Sequence, residues 1–468
     1  MSSPQITRRT IICALFISVL LAACLPPSGG LPPGEGKLRT GAEPTPAGSG
    51  PYSKTEGEAG KEGWLDWDGK GGWRRGDRRS MSETSAEVTL EKEGVAVAEA
   101  PLPISAEAAA PAEEPMPAAT TVPDQGQSSL RAGEVDDNAN WDDYLLYRLN
   151  YAGPPVHDRD VSERYIIAVN DQRGRPLLDA GVTFYAGNEL VFSGRTYATG
   201  QLLFFPTALG VSDQVTAFRV VVQKGDAQQE ATLIRGETYQ LTVNLAHPGR
   251  AQGEPVNLDV LFLIDSTGSM ADEIDKLQES IQEIAARIDR LPSQPRVRFA
   301  MTIYRDRDDL FVSRTFDFTP DVGIFSEALA EVEAEGGGDY PESLNEALYR
   351  AIHGPEWLGK DSVQLIFLVA DAPPHLDYAQ DYDYAVEMAK AAERGIKIFP
   401  IASSGLDDQG EYIFRQIAQF TQGRFIFLTY GPEGQPGDST THHVEDYTVQ
   451  KLDDLVVRMI EEELAHQE

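Results

Sequence analysis

Nearly continuous apolar runs alternate with amphipathic segments in the C-terminal half of the chain. The runs "VNLDVLFLI", "VRFAMTIY", "VQLIFLVA", "IKIFPIA" and "RFIFL" lack the polar alternation of half-exposed strands. They are typical of parallel strands that are covered on both faces. Between them, apolar residues recur at helical spacing, as at Ile274, Leu277 and Ile281. Residues 256–466 are therefore predicted to form an α/β domain with a doubly wound, Rossmann-like, mostly parallel sheet. The more alternating run "LFVSRTFDF" predicts an antiparallel edge strand.

Shorter strand-like segments precede this domain over residues 162–247. The segments "RYIIAVND", "AGVTFYA", "ELVFSG", "AFRVVVQ" and "YQLTVNL" are separated by Gly, Asp and Pro. This spacing predicts a small antiparallel all-β sandwich. The stretch "VNDQRGRPLLDAGV" resembles carboxypeptidase-regulatory-like or transthyretin-like β domains. The resemblance implies a spacer or interaction module, and no catalytic constellation is visible in it.

The N-terminal third has a different character. Residues 1–23 combine Arg8 and Arg9 with the apolar run "IICALFISVLLAA", as a signal peptide does. The end of this run, "LAAC", resembles the lipobox of bacterial lipoproteins, which implies that Cys24 is lipidated and that the protein is anchored to a membrane in the cell envelope. Residues 24–135 are rich in Pro, Ala, Gly and Glu, which predicts a disordered linker. Residues 136–161 are expected to form a short helix and a connector.

Composition limits the functions that remain. The chain of 468 residues has 74 acidic and 40 basic side chains, a formal charge of −34, which disfavours nucleic-acid binding. Its two cysteines, Cys13 and Cys24, both lie within the first 25 residues, so the predicted folded part has no disulfide and no thiolate metal site. The island "GWLDWDGKGGWRRGDRRS" at 63–80 is either a docking motif for an anionic surface or a chance aromatic cluster.

Oxygen-bearing side chains stand at the ends of the predicted parallel strands. Asp265 ends the first strand, and Thr267 and Ser269 follow it in "DSTGSM". Asp371 ends another strand in "VADAPPH", and Asp339 follows three glycines in "GGGDYPES". In a doubly wound sheet, ligands bind beyond the carboxyl ends of the strands. Carboxylates and hydroxyls are ligands for hard cations, so the spacing predicts a site for Mg²⁺, Mn²⁺ or Ca²⁺.

The motifs "DSTGSM", "GGGD" and "VADAPPH", in this order along the chain, resemble the von Willebrand factor type A domain with its metal-ion-dependent adhesion site, over about residues 256–466. The resemblance implies a non-catalytic module that binds a divalent cation, with Mg²⁺ expected, at Asp265, Thr267, Ser269, Asp339 and Asp371. It also implies a protein partner that offers an acidic side chain to the metal, hence metal-dependent interaction or adhesion. Asp339 stands where the family commonly has Thr, so direct ligation by Asp339 is left open.

Two further residues were considered beside this set. Asp306 in "YRDRDD" is either a supporting acceptor next to the metal or part of a solvated turn, and His375 is taken as orienting or structural. A rival hypothesis is a metal-dependent phosphohydrolase, which would need a second Asp where Thr267 stands. Another is a structural envelope protein without metal-mediated binding.

Overall fold

The computed structural model describes residues 65–67, 73–75, 130–251, 253–429, 442–444 and 447–467. The predicted signal peptide, Cys24 and nearly all of the predicted linker lie outside these ranges. The first two ranges are strands β1 (Leu65–Trp67) and β2 (Trp73–Arg75), which pair antiparallel within the Trp- and Arg-rich island. In the described part of the chain, no helix has the combination of length and apolar character needed to cross a membrane.

An eight-stranded sheet lies at the centre of the C-terminal domain. In spatial order its strands are β13 (Ser313–Thr319), β12 (Arg296–Tyr304), β11 (Asn257–Asp265), β14 (Ser362–Ala370), β15 (Ile396–Ala402), β16 (Phe425–Thr429), β3 (Arg131–Val135) and β17 (Gln450–Lys451). The strands from β12 to β16 run parallel, and β13 lies antiparallel at one edge. Every residue of β14 is buried, as expected for a strand covered on both faces. The predicted doubly wound α/β fold is thus confirmed.

Helices cover both faces of this sheet. They are α2 (Ala271–Asp289), α3 (Val322–Leu329), α4 (Leu344–His353), α5 (Tyr384–Arg394), α6 (Asp408–Phe420) and α7 (Leu452–Ala465). Helices α2, α3 and α7 share one core with Phe262 of β11, whereas α4, α5 and α6 share the other with Leu261. Neighbouring residues of a strand point to opposite faces, so β11 contributes to both cores. Asp383 and Asp407 cap the amino ends of α5 and α6 through their side chains.

The strand β3 differs from the sequence prediction, which placed residues 131–135 at the end of the linker. These residues pair antiparallel with β16, and Ala132 is completely buried. A β carbon at Gly133 would lie 2.6 Å from side-chain atoms of both Phe427 and Tyr447, so the aromatic rings use the space that glycine leaves. The segment was missed because "RAGEV" has no apolar run, and its partner strand is almost three hundred residues away in sequence.

A short helix was expected within residues 136–161, and one is present there. Helix α1 (Trp141–Asn150) buries Tyr144, and Tyr147 stacks on Tyr412 of α6 with ring centroids 5.9 Å apart. The helix therefore packs against the α/β domain. Trp141 also stacks on Phe205, with centroids 6.5 Å apart.

Residues 165–244 form the expected β-sandwich. Its strands are β4 (Tyr165–Asn170), β5 (Gly181–Ala186), β6 (Glu189–Arg195), β7 (Gln201–Phe204), β8 (Ala217–Lys224), β9 (Ala227–Ile234) and β10 (Gln240–Asn244). One sheet has the order β10-β4-β7 and the other β6-β5-β8-β9. Phe184 and Phe204 stack in the core with centroids 4.0 Å apart. The pair β10–β4 is parallel, unlike the wholly antiparallel prediction, because the chain passes through the other sheet before it returns beside β4.

The sandwich lies against the amino ends of the parallel strands. Lys224 of β8 forms an ion pair with Asp361, the residue that precedes β14. The backbone N–H of Asp361 donates to Asp179 Oδ2 at 3.1 Å, and Gln467 Nε2 donates to Ala198 O at 2.6 Å. These contacts lie at the amino ends of the parallel strands. The carboxyl ends of the strands lie on the opposite side of the sheet, away from these contacts.

Candidate metal centre

The first loop at this edge carries a row of oxygen atoms. Asp265 ends β11, and its Oδ1 accepts hydrogen bonds from Thr267 N at 3.0 Å and from Thr267 Oγ1 at 2.7 Å. Thr267 Oγ1 lies 3.1 Å from Ser269 Oγ. Asp265 and Thr267 are completely buried, whereas Ser269 is exposed. The row of oxygens therefore runs from the core to the surface, in the short 3₁₀ turn that leads into α2.

A second carboxylate joins this loop from the neighbouring strand. Asp371 follows β14, which pairs directly with β11, so both acidic residues lie at adjacent strand ends. Asp371 is also buried. Within the described residues, neither Asp265 Oδ2 nor Asp371 Oδ1 has a hydrogen-bond partner. A buried carboxylate oxygen without a partner is costly, and a cation would satisfy both oxygens. These residues therefore fit a hard divalent ion.

The pKa values reflect two buried acids side by side. Burial and the charge of Asp371 raise the pKa of Asp265 to about 7, against hydrogen bonds from Thr267 that lower it. Burial, with a smaller contribution from the charge of Glu273, raises the pKa of Asp371 above its usual range. Each effect disfavours the ionised form, which is the form that binds metal.

The second loop supplies a residue that the sequence analysis missed. Glu342 is buried, and its Oε2 has no hydrogen-bond partner in the described part of the chain. Burial raises its pKa to about 9, and the charges of Asp265, Asp306 and Asp371 contribute. Glu342 therefore lies within electrostatic reach of the Asp265–Asp371 pair. Its position just before α4 made it look like an ordinary first-turn helix residue, so only its place in "GGGDYPES" could have drawn attention to it.

Asp339 follows the glycine run in the same loop as Glu342. It is exposed, and its carboxylate groups with ligand atoms of Asp306 and His375, all within 4.8 Å of one another. The structure thus brings together Asp265, Thr267, Ser269 and Asp371 from the predicted set, with Glu342 added. It places Asp339 with the two residues that had been considered as supporting groups. Direct ligation by Asp339 in the first set stays a prediction.

Backbone contacts hold the first and second loops together. Gly268 N donates to Gly336 O at 3.0 Å, and Glu335 N donates to Ser266 O at 3.0 Å. Gly336 has a φ of +78°, and a β carbon there would lie 2.2 Å from Asp309 Oδ1. Glycine is therefore required at this position for conformation and for space. The glycine run in "GGGDYPES" shapes the loop that carries Glu342.

The open α/β sheet thus has an acidic, hydroxyl-bearing rim at the carboxyl ends of its parallel strands, and such a rim suits a hard divalent cation. Residues 259–429 match the family model described as the von Willebrand factor A domain. Residues 259–429 are therefore similar to von Willebrand factor A domains.

Similar proteins include two curated relatives. A putative ariadne-like RING finger protein of Acanthamoeba polyphaga mimivirus is 24% identical over 187 residues, 36% of this chain and 18% of that protein. The alpha-protein kinase vwkA of Dictyostelium discoideum is 29% identical over 120 residues, 25% of this chain and 19% of that protein. The chain thus spans less than a fifth of the length of either relative.

One similar solved structure is proximal thread matrix protein 1 from the mussel byssus, described with a zinc-occupied metal-ion-dependent adhesion site. It is 14% identical, with a TM-score of 0.32, and the match covers 45% of this chain and 46% of that chain.

Proposed function

We propose that this protein binds a divalent cation, with Mg²⁺ the expected ion, at Asp265, Thr267, Ser269 and Asp371, and that the bound cation mediates adhesion to a protein partner. The observation that carries the proposal is the pair of buried carboxylates whose Oδ2 (Asp265) and Oδ1 (Asp371) have no hydrogen-bond partner among the described residues. Two adjacent buried acids are unfavourable alone, and a dication between them offsets both the desolvation and the repulsion.

Each residue has a distinct part in this proposal. Asp265 and Asp371 supply the negative charge that holds the ion. Thr267 donates to Asp265 Oδ1 through both its N–H and its hydroxyl, which fixes the orientation of that carboxylate. Ser269 brings a hydroxyl to the exposed mouth of the site. A bound cation would supply an electrophilic position at this mouth, and a carboxylate of the partner suits it because hard cations prefer oxygen ligands.

The proposal extends to the place where the protein acts. Arg8, Arg9, the apolar run and "LAAC" support a lipoprotein that is anchored through Cys24 on the outer side of a bacterial membrane. The composition of residues 24–129 supports a linker that extends the folded part away from the membrane. The β-sandwich then serves as a spacer at the edge of the sheet opposite the metal centre.

Two other functions are kept as alternatives. A phosphohydrolase would need a general acid where Thr267 stands, so we expect no phosphatase activity. A structural envelope protein would need no metal for any interaction. The first alternative is tested with a generic phosphomonoester and Mg²⁺, and the second by the dependence of partner binding on metal.

The deciding experiment compares partner capture by the full chain in Mg²⁺ and in EDTA. We expect a partner that is retained in Mg²⁺, released by EDTA and not captured by Asp265→Asn. The matched control is Asp226→Asn, which makes the same chemical change in an exposed turn of the sandwich and should capture as wild type does. Capture that is the same in EDTA, or the same with Asp265→Asn, would overturn metal-mediated adhesion.

A further inference from the structure

His375 has a buried imidazole ring. Within the described residues, one ring nitrogen has a hydrogen-bond partner and the other has none. Its side chain is 3% exposed, and Nδ1 lies 2.8 Å from Asp377 Oδ1. Its Nε2 has no hydrogen-bond partner in the described ranges. A carboxylate that accepts from Nδ1–H leaves the lone pair on Nε2, which is the arrangement found behind histidines that bind metal.

The Nε2 atom of His375 lies close to the carboxylates of Asp306 and Asp339. Asp306 Oδ1 lies 3.7 Å from His375 Nε2, and the carboxylate of Asp339 completes a group whose ligand atoms lie within 4.8 Å of one another. A lone pair directed at a carboxylate is unfavourable, because both are acceptors. A cation between them converts this repulsion into ligation. Ligands about 2.0–2.2 Å from one ion are about 3–4 Å apart, a range that includes the 3.7 Å between His375 Nε2 and Asp306 Oδ1. The exposed carboxylate of Asp339 would move towards this pair when the ion binds.

The surroundings of Asp306 do not neutralise its charge. Its Oδ1 accepts from Ser343 Oγ at 2.7 Å, and its Oδ2 accepts from Tyr378 Oη at 2.8 Å. These hydroxyls orient the carboxylate but carry no charge. The nearby Arg307 is paired with Asp381 at 2.7 Å, so its charge is directed elsewhere. Tyr378 stacks on the ring of His375 with centroids 3.9 Å apart, which holds the imidazole plane in place.

We infer that Asp306, Asp339 and His375 form a second cation site, distinct from the centre at Asp265, and that it takes a transition-metal dication, with Zn²⁺ the best match. One imidazole nitrogen and two carboxylates suit Zn²⁺, whereas Mg²⁺ prefers an all-oxygen shell. Asp339 is exposed, so the ion has an entry path and an open coordination position. The two sites therefore differ in ligand chemistry as well as in residues.

The test is a Zn²⁺ titration of the full chain by calorimetry in saturating Mg²⁺. Wild type should bind Zn²⁺ under these conditions. His375→Gln should weaken Zn²⁺ binding by at least about tenfold and leave Mg²⁺ binding unchanged, since it removes the nitrogen ligand only. Asp265→Asn should weaken Mg²⁺ binding and leave Zn²⁺ binding unchanged. The matched control is His353→Gln, because His353 is a partly exposed histidine at the C-terminal end of α4 that pairs with Glu387 of α5.

A spectroscopic readout separates ligation from a structural effect of the substitution. Mn²⁺ bound to the full chain should show nitrogen hyperfine coupling in wild type and in Asp265→Asn, and none in His375→Gln. The proposed first site holds only oxygen ligands, so it cannot give this signal. Unchanged Zn²⁺ affinity in His375→Gln would overturn the second site, as would loss of all Zn²⁺ binding in Asp265→Asn. Neither result decides whether partner capture depends on Mg²⁺, so the second site and the proposed function are tested independently.

Discussion

The backbone N–H of His375 donates a hydrogen bond of 3.1 Å to the carbonyl oxygen of Glu342, and Glu342 N donates to Pro373 O at 3.1 Å. The loop that carries Glu342 and the loop that follows β14 are therefore joined like two short strands. The backbone that carries Glu342 is fixed relative to Asp371 by bonds that do not involve either side chain. Substitutions of the side chains at these positions should consequently change charge and ligation without changing the shape of the loops.

The first prediction concerns Asp265. Asp265→Asn removes a ligand and a buried charge, so we expect Mg²⁺ affinity to fall by more than the about 10–100-fold typical of residues that only support a ligand. In EDTA the variant should unfold at the same temperature as wild type or higher, because Asp371 loses an adjacent like charge. Calorimetric titration and thermal unfolding measure the two effects. Unchanged Mg²⁺ affinity would refute the assignment of this site.

The second prediction compares two acids of the second loop. Glu342→Gln should lower Mg²⁺ affinity, because a bound dication favours the ionised form of Glu342, and its charge interacts with those of both Asp265 and Asp371. Asp339→Thr should leave Mg²⁺ affinity nearly unchanged, because Asp339 is exposed and groups with Asp306 and His375. Parallel Mg²⁺ titrations of the two variants distinguish the residues. If Asp339→Thr bound Mg²⁺ more weakly than Glu342→Gln does, Asp339 would be a ligand of the first site, as the resemblance implied.

The third prediction concerns pH. The carboxyl groups of Asp265 and Glu342 have pKa values of about 7 and about 9 when folded, above their ordinary 3.8 and 4.5. Between the ordinary and the raised values the folded chain binds more protons than the unfolded chain, so its free energy of unfolding falls as pH rises. In EDTA, the melting temperature should therefore decline from about pH 4 through pH 7.

Mg²⁺ should counter this decline, because it binds the ionised carboxylates and displaces the protons. The difference in melting temperature between Mg²⁺ and EDTA should grow with pH over the same range, and it should be much smaller in Asp265→Asn. Thermal unfolding at a series of pH values measures it. A difference that shrinks as pH rises would contradict the proposed ligation.

The fourth prediction concerns the strand that joins the sheet from the N-terminal side. Gly133→Ala should destabilise the domain by about 1–3 kcal/mol, because the new methyl group would overlap Phe427 and Tyr447. Gly181→Ala is the matched control, since its β carbon would meet only Gln223 O at an ordinary 3.6 Å. Urea denaturation of both variants provides the comparison. Equal stabilities would show that β3 contributes little to the folded domain.

The fifth prediction concerns anchoring. Cys24→Ala should block lipidation, so the variant should leave the membrane fraction or accumulate unprocessed. Membrane fractionation and the mass of the mature protein are the measurements. A variant that is processed and fractionates as wild type does would rule out the lipoprotein assignment.

The fold was largely predictable because parallel strands buried on both faces produce long apolar runs, as in β14. The strand-end position of Asp265 and Asp371 followed from the same pattern. Glu342 and β3 were not predictable in this way. Glu342 acquires its role from the path of a glycine-shaped loop, and β3 acquires its conformation from a distant partner. Local sequence contains neither the loop geometry nor the long-range pairing. The grouping of Asp339 with Asp306 and His375 is likewise a property of the folded loops.

The pairing of β3 also has a mechanical consequence. Arg131 lies opposite Thr429, so the chain before residue 131 leaves the sheet at the carboxyl end of β16, the edge that carries the metal centre. Tension on that chain would act along β3 and load its ladder with β16 in shear, where several backbone hydrogen bonds share the force. A partner pulling on the metal centre would load the same edge. If the chain is anchored through its N-terminus and binds a partner at the metal centre, as proposed above, force would pass between the two through the sheet and not through the β-sandwich.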